Sequence, residues 1–245
     1  SIWNIKVFGD GQDPIIPSGN FNGQELRAAS KRKGLIFDIN ADDYTLTGTV
    51  NKINDRKDKS HFFSAIGKDV PVRLKADKSA FIFNGMQEFR SNFALPETFI
   101  GNSPYTIMAW VYIDKLSDNE CILELVNAGG ELEKVSLGYG KDSRTGIIAH
   151  NGSYEDMGID NAVAASRWQH LAVTFDGYME KIYIDGNLVK EKDIVLRLPQ
   201  SDYITIGRRA ESDWFFKNSI HSLTVYDTAL DIEVIAKEYN QSISD

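Results

Sequence analysis

Residues Ser166–Lys190 read SRWQHLAVTFDGYMEKIYIDGNLVK, and this stretch decides the fold. From Trp168 to Phe175, aromatic, β-branched and apolar residues are interleaved with polar ones, which is the composition a strand prefers. Asp176-Gly177 breaks the run, Lys181–Ile184 resumes it, Asp185-Gly186 breaks it again and Leu188-Val189 returns. Asp-Gly between two alternating runs is a strong hairpin signal, because both central residues of a type I′ turn need positive φ. Two such dipeptides in close succession predict a tight antiparallel meander.

Working outward, the pattern is regular from Gly34. Strands are expected at Leu35–Ile39, around Leu46–Val50, and at Ser79–Phe83 and Glu88–Phe93 on either side of Asn84-Gly85. Tyr105–Ile113 (YTIMAWVYI) is the most continuous apolar run. Its Ile107, Ala109, Val111 and Ile113 fall on one face and Met108, Trp110 and Tyr112 on the other. Further strands are expected at Cys121–Val126, Lys134–Tyr139, Gly146–His150, Tyr203–Gly207 and Ile220–Tyr226. Short strands at roughly ten-residue intervals, punctuated by Gly, Asn and Asp, mark a sandwich or barrel. Only Asp231–Tyr239 has helical spacing, with Asp231 as its N-cap.

Residues 1–33 differ in character. Trp3–Phe8 alternates like a strand, and the stretch after it is rich in Pro, Ser, Asn and Gly, the composition of a linker. The domain reading is therefore 1–33 as an N-terminal strand and linker, either the tail of a preceding module or a strand added to this domain's sheet, and 34–241 as the main domain. The start at Ser1-Ile2-Trp3 carries no charged-then-apolar leader and suits a mature or excised chain.

Composition removes several functions. With 42% apolar residues in 245, the chain builds a sizeable core. A net charge of −8 argues against sequence-independent nucleic-acid binding, which uses a basic face. The single cysteine, Cys121, rules out an internal disulfide and a cysteine-based zinc cage, and its apolar neighbours predict a buried, inert thiol. No run of about 18 apolar residues is present to span a membrane as a helix.

Five stretches, in order, resemble LamG-like domains of the concanavalin A-like lectin/glucanase superfamily. They are the Ser166–Lys190 meander, Phe81–Phe89 (FIFNGMQEF), Tyr105–Val111 (YTIMAWV), Ile204–Arg208 (ITIGR) and Phe216–Leu230 (FKNSIHSLTVYDTAL). The resemblance covers about residues 34–241 and implies an all-β fold: a two-sheet antiparallel jelly-roll sandwich with one short C-terminal helix. It also implies a secreted, periplasmic or cell-surface protein carrying other modules, suited to a bacterial polysaccharide-degrading system. Many relatives hold a structural calcium, and here Asp38, Asn84 and Glu88 are the oxygen donors such an ion would use. Asn84, Glu88, Asn218 and His221 depart from the family pattern, and His221 is a poor calcium ligand.

Glucanases of this superfamily place two or three carboxylates on alternate residues of one strand. No strand here repeats that motif, and the cluster Glu120, Glu124, Glu131 and Glu133 reads as surface carboxylates. No nucleophile elbow, metalloprotease helix or phosphate-cradling glycine loop is present either. The function expected is a non-catalytic carbohydrate-binding module. The alternatives are a glycoside hydrolase or lyase with loop-borne carboxylates, and a protein-interaction or spacer domain. Sugar recognition uses aromatic platforms and planar polar groups. The expected contact surface is therefore Tyr154 and Trp214 in polar loops, with His150, Arg208 and Arg209, facing a polysaccharide or glycan.

Overall fold

The computed structural model describes residues 34–115, 119–126, 133–140, 147–150, 157–159, 166–210 and 212–242. All of them belong to one compact unit, Gly34–Asp245. The strand expected at Trp3–Phe8 and the linker after it lie outside the described residues.

Among the described residues, seventeen strands, numbered in chain order, form two antiparallel sheets. The nine-stranded sheet runs β15 (Asn187–Asp193), β14 (Met179–Ile184), β13 (Trp168–Phe175), β8 (Tyr105–Tyr112), β17 (Ser219–Tyr226), β6 (Lys78–Ile82), β5 (Val70–Lys75), β2 (Thr49–Val50). Strand β1 (Leu35–Asn40) shares one edge of β17 with β6: it pairs with Ser222–Tyr226, and β6 with Ser219 and Ile220. The eight-stranded sheet runs β12 (Met157–Gly158), β11 (Ile147–His150), β10 (Val135–Tyr139), β9 (Glu120–Val126), β16 (Thr205–Ile206), β7 (Gln87–Ser91), β4 (Phe62–Gly67), β3 (Lys52–Asn54). Asn84-Gly85 thus carries the chain from one sheet to the other. The fold is the two-sheet sandwich that the sequence predicts.

The meander β13-β14-β15 stands as expected, but its two turns differ. Asp185 (φ 50°) and Gly186 (φ 76°) are both left-handed between the paired Ile184 and Asn187, as a type I′ turn requires. Gly186 has a second role: a Cβ there would sit 3.2 Å from Ala236 Cα in the C-terminal helix. At the first turn only Gly177 has positive φ, and Asp176 instead accepts hydrogen bonds from the Tyr178 and Met179 amides at 2.9 and 2.7 Å. That is the pattern of a type II′ turn centred on Gly177-Tyr178, one residue later than the dipeptide suggests.

A single apolar core fills the space between the sheets. Ile107, Ala109, Val111, Leu171, Val173, Leu223 and Val225 meet Phe63, Phe89, Leu123, Leu137 and Ile206. Phe37 on β1 and Phe63 on β4 join the two sheets edge to face, with ring centres 5.1 Å apart. The second faces of β8 and β13 are covered as well. Helix α1 (Ile232–Ser242) buries Ile235 against Met108, Ala172, Tyr183 and Tyr226. Its Tyr239 stacks on Trp110 at 5.7 Å, so Trp110 is packing rather than an exposed platform.

His170 lies in this second layer, 5.3 Å from Trp110 ring to ring, with its Nδ1 buried and unpartnered. Burial pulls its pKa down to about 4, against an opposing pull from Asp185. A base whose folded pKa lies below its ordinary value is harmless above that value and destabilises as pH falls. We expect about 3 kcal/mol of stability to disappear between about pH 6.5 and 4. In urea unfolding at pH 7 and 4.5, His170→Gln should flatten that part of the loss.

Gly207, just after β16, has φ +83° and its Cβ position is 2.3 Å from Phe83 Cε1. Gly67, at φ +89°, has nothing within 4 Å of its Cβ position. Gly207→Ala should therefore cost about 2–4 kcal/mol, combining left-handed strain with overpacking. Gly67→Ala should cost only the strain, about 1–2 kcal/mol. Equal losses in denaturant midpoints would show that the Phe83 contact is irrelevant.

Candidate functional site

The outer face of the eight-stranded sheet carries one polar row, set by strand register. Lys52 lies opposite Ser64, Ser64 opposite Arg90, and Arg90 opposite Thr205. Thr205 lies opposite Glu124, Glu124 opposite Ser136, and Ser136 opposite His150. Directly paired residues share a face, and alternation sends their neighbours Phe63, Phe89, Ile206, Leu123 and Leu137 into the core.

In and beside this row three arginines lie on three aromatic rings. Arg90 sits over Tyr203 at 4.3 Å, Arg208 over Phe215 at 4.6 Å and Arg209 over Trp214 at 4.8 Å. The last two pairs belong to one tight hairpin. Gly207 turns the chain, and the Arg209 amide donates to Trp214 O at 3.1 Å while Phe216 N donates back to Gly207 O at 2.9 Å. Glu88, almost fully buried, joins two of the arginines: Arg90 Nη2 donates to one oxygen at 3.0 Å and Arg208 Nη1 to the other at 3.1 Å.

Glu124 stands differently. Its Oε2 accepts from the Ala210 amide at 2.6 Å, while its buried Oε1 has no hydrogen-bond partner. Arg209 Nε approaches Oε1 only to 3.8 Å. Burial therefore pushes the carboxyl up to about 7, with the Ala210 amide and Arg209 opposing. Glu124 lines a cleft of about 240 Å³ with Leu125, Gln200, Ser201, Asp202, Tyr203 and Thr205.

Of the residues expected to bind ligand, Arg208, Arg209 and Trp214 are brought together on this hairpin. Trp214 is half-buried under Arg209, not an open platform. His150 takes the register position at the far end of the polar row, and Tyr154 lies outside the described residues. The three expected calcium donors do not meet. Asp38 lies opposite Thr224 on β17, whereas Asn84 is flanked by Phe83 and Gly85, which bond to Asn218 O and Phe216 O beyond the other end of that strand. At the rise of a strand the two are roughly 20 Å apart, and Glu88 is already held by two guanidinium groups. Among the described residues no three His, Cys, Asp or Glu side chains are grouped to hold a metal ion.

The reading of Glu120 and Glu124 as surface carboxylates is overturned. Glu120 is fully buried, accepting from Lys217 N and Asn218 Nδ2 at 2.9 Å each, and Glu124 is 2% exposed. The hairpin after Gly207 and the segment leading into β17 supply those donors, and both come from far along the chain. Asn218 also accepts from Asp114 N at 2.8 Å, which gives it a structural task. His221 has one too, its Nδ1 lying 2.8 Å from Ser79 O.

The architecture defines a class: a lectin-type sandwich with a polar outer sheet face. Residues 89–236 match the family Laminin_G_3 of the concanavalin A-like lectin/glucanases superfamily, and the chain belongs to that family. Among solved structures it is similar to domain 4 of a GH43 extracellular arabinanase from Geobacillus stearothermophilus in complex with arabinotriose. The two share 19% identity at a TM-score of 0.60, over 83% of this chain and 97% of the other. It is also similar to the botulinum neurotoxin serotype D binding domain (16%, TM-score 0.61, 86% of this chain and 52% of that one). A Trypanosoma rangeli sialidase is a third (17%, TM-score 0.59, 86% and 33%). The chain thus spans about half of the toxin domain and a third of the sialidase. At these identities the likeness is one of fold. No curated protein sequence matches the chain.

A carboxyl whose folded pKa is raised stabilises least when ionised. Glu124→Gln, which keeps an acceptor for Ala210, should raise stability by about 3 kcal/mol at pH 8, and the gain should vanish below about pH 4.5. Urea titrations of both proteins across that range measure it. A pH-independent difference would contradict the burial of an ionisable carboxyl.

Proposed function

We propose that this chain is a non-catalytic carbohydrate-binding module of a larger secreted or surface protein, and that its contact surface is the outer face of the eight-stranded sheet. One observation carries the reading: a cleft beside a polar cross-strand row, walled by Gln200, Ser201, Tyr203 and Thr205, with Arg90 lying over Tyr203 and Arg208 and Arg209 on the rings of the neighbouring hairpin. Planar guanidinium groups held on rings offer fixed donors for hydroxyl pairs, and ring edges offer apolar contact to a pyranose. The arabinanase domain's complex with arabinotriose, on a similar fold, supports a glycan as the ligand. The attached modules would be held near that glycan. The described residues include no helix long and apolar enough to cross a membrane, and the acidic balance disfavours nucleic acid.

A hydrolase is the second reading, favoured by Glu124, whose carboxyl is held at about 7 in a cleft shared with Asp202. A glycan array probed with the full chain in calcium buffer tests both. A coherent set of polysaccharide hits, weakened about tenfold or more by Trp214→Ala, is expected. A blank array would leave a protein-interaction or spacer domain. Release of new reducing ends from a bound glycan, abolished in Glu124→Gln, would replace the binding module with an enzyme.

A further inference from the structure

We propose that the outer face over β3, β4 and β7 binds an acidic glycan, its carboxylate or sulfate ester seated above Ser64 between Lys52 and Arg90. The proposal rests on the glycan-binding reading of this face and names the class of glycan. Register sets the seat. Lys52 and Arg90 flank Ser64 from the two neighbouring strands, their Cα atoms about 10 Å apart. Each cation is held on a ring: Lys52 Nζ lies 3.7 Å over Phe62, two residues from Ser64 on the same face, and Arg90 lies over Tyr203. The seat is open to solvent. Lys52 is exposed, the Arg90 side chain is 40% exposed, and Phe62 and Ser64 are half-buried.

Charge decides the class of ligand. The outward positions of β3, β4 and β7 hold one acid, Glu88, which is nearly fully buried and held by both Arg90 and Arg208. Asp202, exposed beside Tyr203, belongs to the adjoining cleft. Among the described residues no carboxylate pairs with Lys52 and no group bonds Ser64 Oγ. The seat therefore offers donors. Ammonium and guanidinium bring no acceptor, and a hydrogen bond from a cation to an anionic oxygen is about twice as strong as one between neutral groups. An amino sugar would face two like charges there. Ile66, 44% exposed beyond Ser64 on β4, adds apolar contact for a sugar ring. The whole chain carries a net charge of −8, so its long-range field repels an acidic ligand and the attraction is local.

Calorimetric titration of the full chain at neutral pH and physiological salt tests this with two pairs of probes. One pair is a galacturonic acid hexamer and its fully methyl-esterified form, and the other is sulfated cellohexaose and cellohexaose. In at least one pair the acidic member should bind about tenfold or more tightly than its neutral counterpart, and which pair does so distinguishes a carboxylate from a sulfate ester. Lys52→Gln should weaken that binding about fivefold, and Ser64→Glu, which puts a like charge in the seat, should abolish it. Lys237→Gln, which removes an exposed cation from helix α1 on the other sheet, should leave it intact. Equal or tighter binding of both neutral members would overturn the proposal while the glycan-binding reading stands. So would an equal loss in Lys52→Gln and Lys237→Gln, which would mean long-range charge alone. Failure of all four probes to bind while other glycans bind on the array would likewise remove only the acidic-glycan proposal. No binding to any glycan would remove both.

Discussion

The structure depends on the pairing of β8 with β13, eight residues against eight, with Trp168 opposite Tyr112 and Phe175 opposite Tyr105. An antiparallel sheet usually faces water on one side. Here every residue of β13 and all but Tyr112 of β8 are buried, so the pair needs apolar cover on both faces. The opposing sheet supplies one cover. Helix α1, with the layer of Trp110, Trp168, His170 and Tyr239, supplies the other. Tyr105 and Glu180 add a polar fixture inside this region, the phenol donating to the buried carboxylate at 2.5 Å. The helix is thus part of the sandwich's hydrophobic economy.

While β8 and β13 are covered on both faces, the polar row lies on the outer face of the other sheet, with Glu124, Thr205 and Ser136 buried within it. Its outer row places Lys52, Arg90 and Glu124 on successive or nearby strands among small hydroxyl residues. Charges there are arranged in short exchanges: Glu88 satisfied by two arginines, Glu124 only half satisfied. The half-satisfied group is the one at the cleft. A buried carboxylate without its full set of donors lowers stability, and such local deficits are found where proteins bind or react.

Much of the sandwich was legible in the sequence. Trp168–Lys190 and Tyr105–Ile113 announce themselves because they are long, apolar and punctuated by turn residues, and the two-faced split of β8 follows from parity alone. Strands β4 and β5 were less visible. Gly67 ends one, and Pro71 interrupts the other, a residue that sheets tolerate mainly at edges. The site was legible only in part. Arg208, Arg209 and Trp214 stand out as large side chains in a polar loop. Glu124 does not, because its burial and its missing partner depend on a hairpin more than eighty positions away (Ala210 N to Glu124). The polar row depends on the register of seven strands, which no local pattern encodes.

Strand β1 closes the nine-stranded sheet by pairing with β17, Leu35 opposite Tyr226, and the Asp227 amide donates to Gly34 O at 2.7 Å. The first strand of the unit therefore waits for almost the last before its backbone groups find partners. Closing so long a loop carries a large entropic cost that only late contacts offset, which makes for slow folding. On a ribosome, β1 would emerge early and remain unpaired through most of synthesis. During that interval the segment with Ile36, Phe37 and Ile39 is open to capture by chaperones or by other unfinished chains.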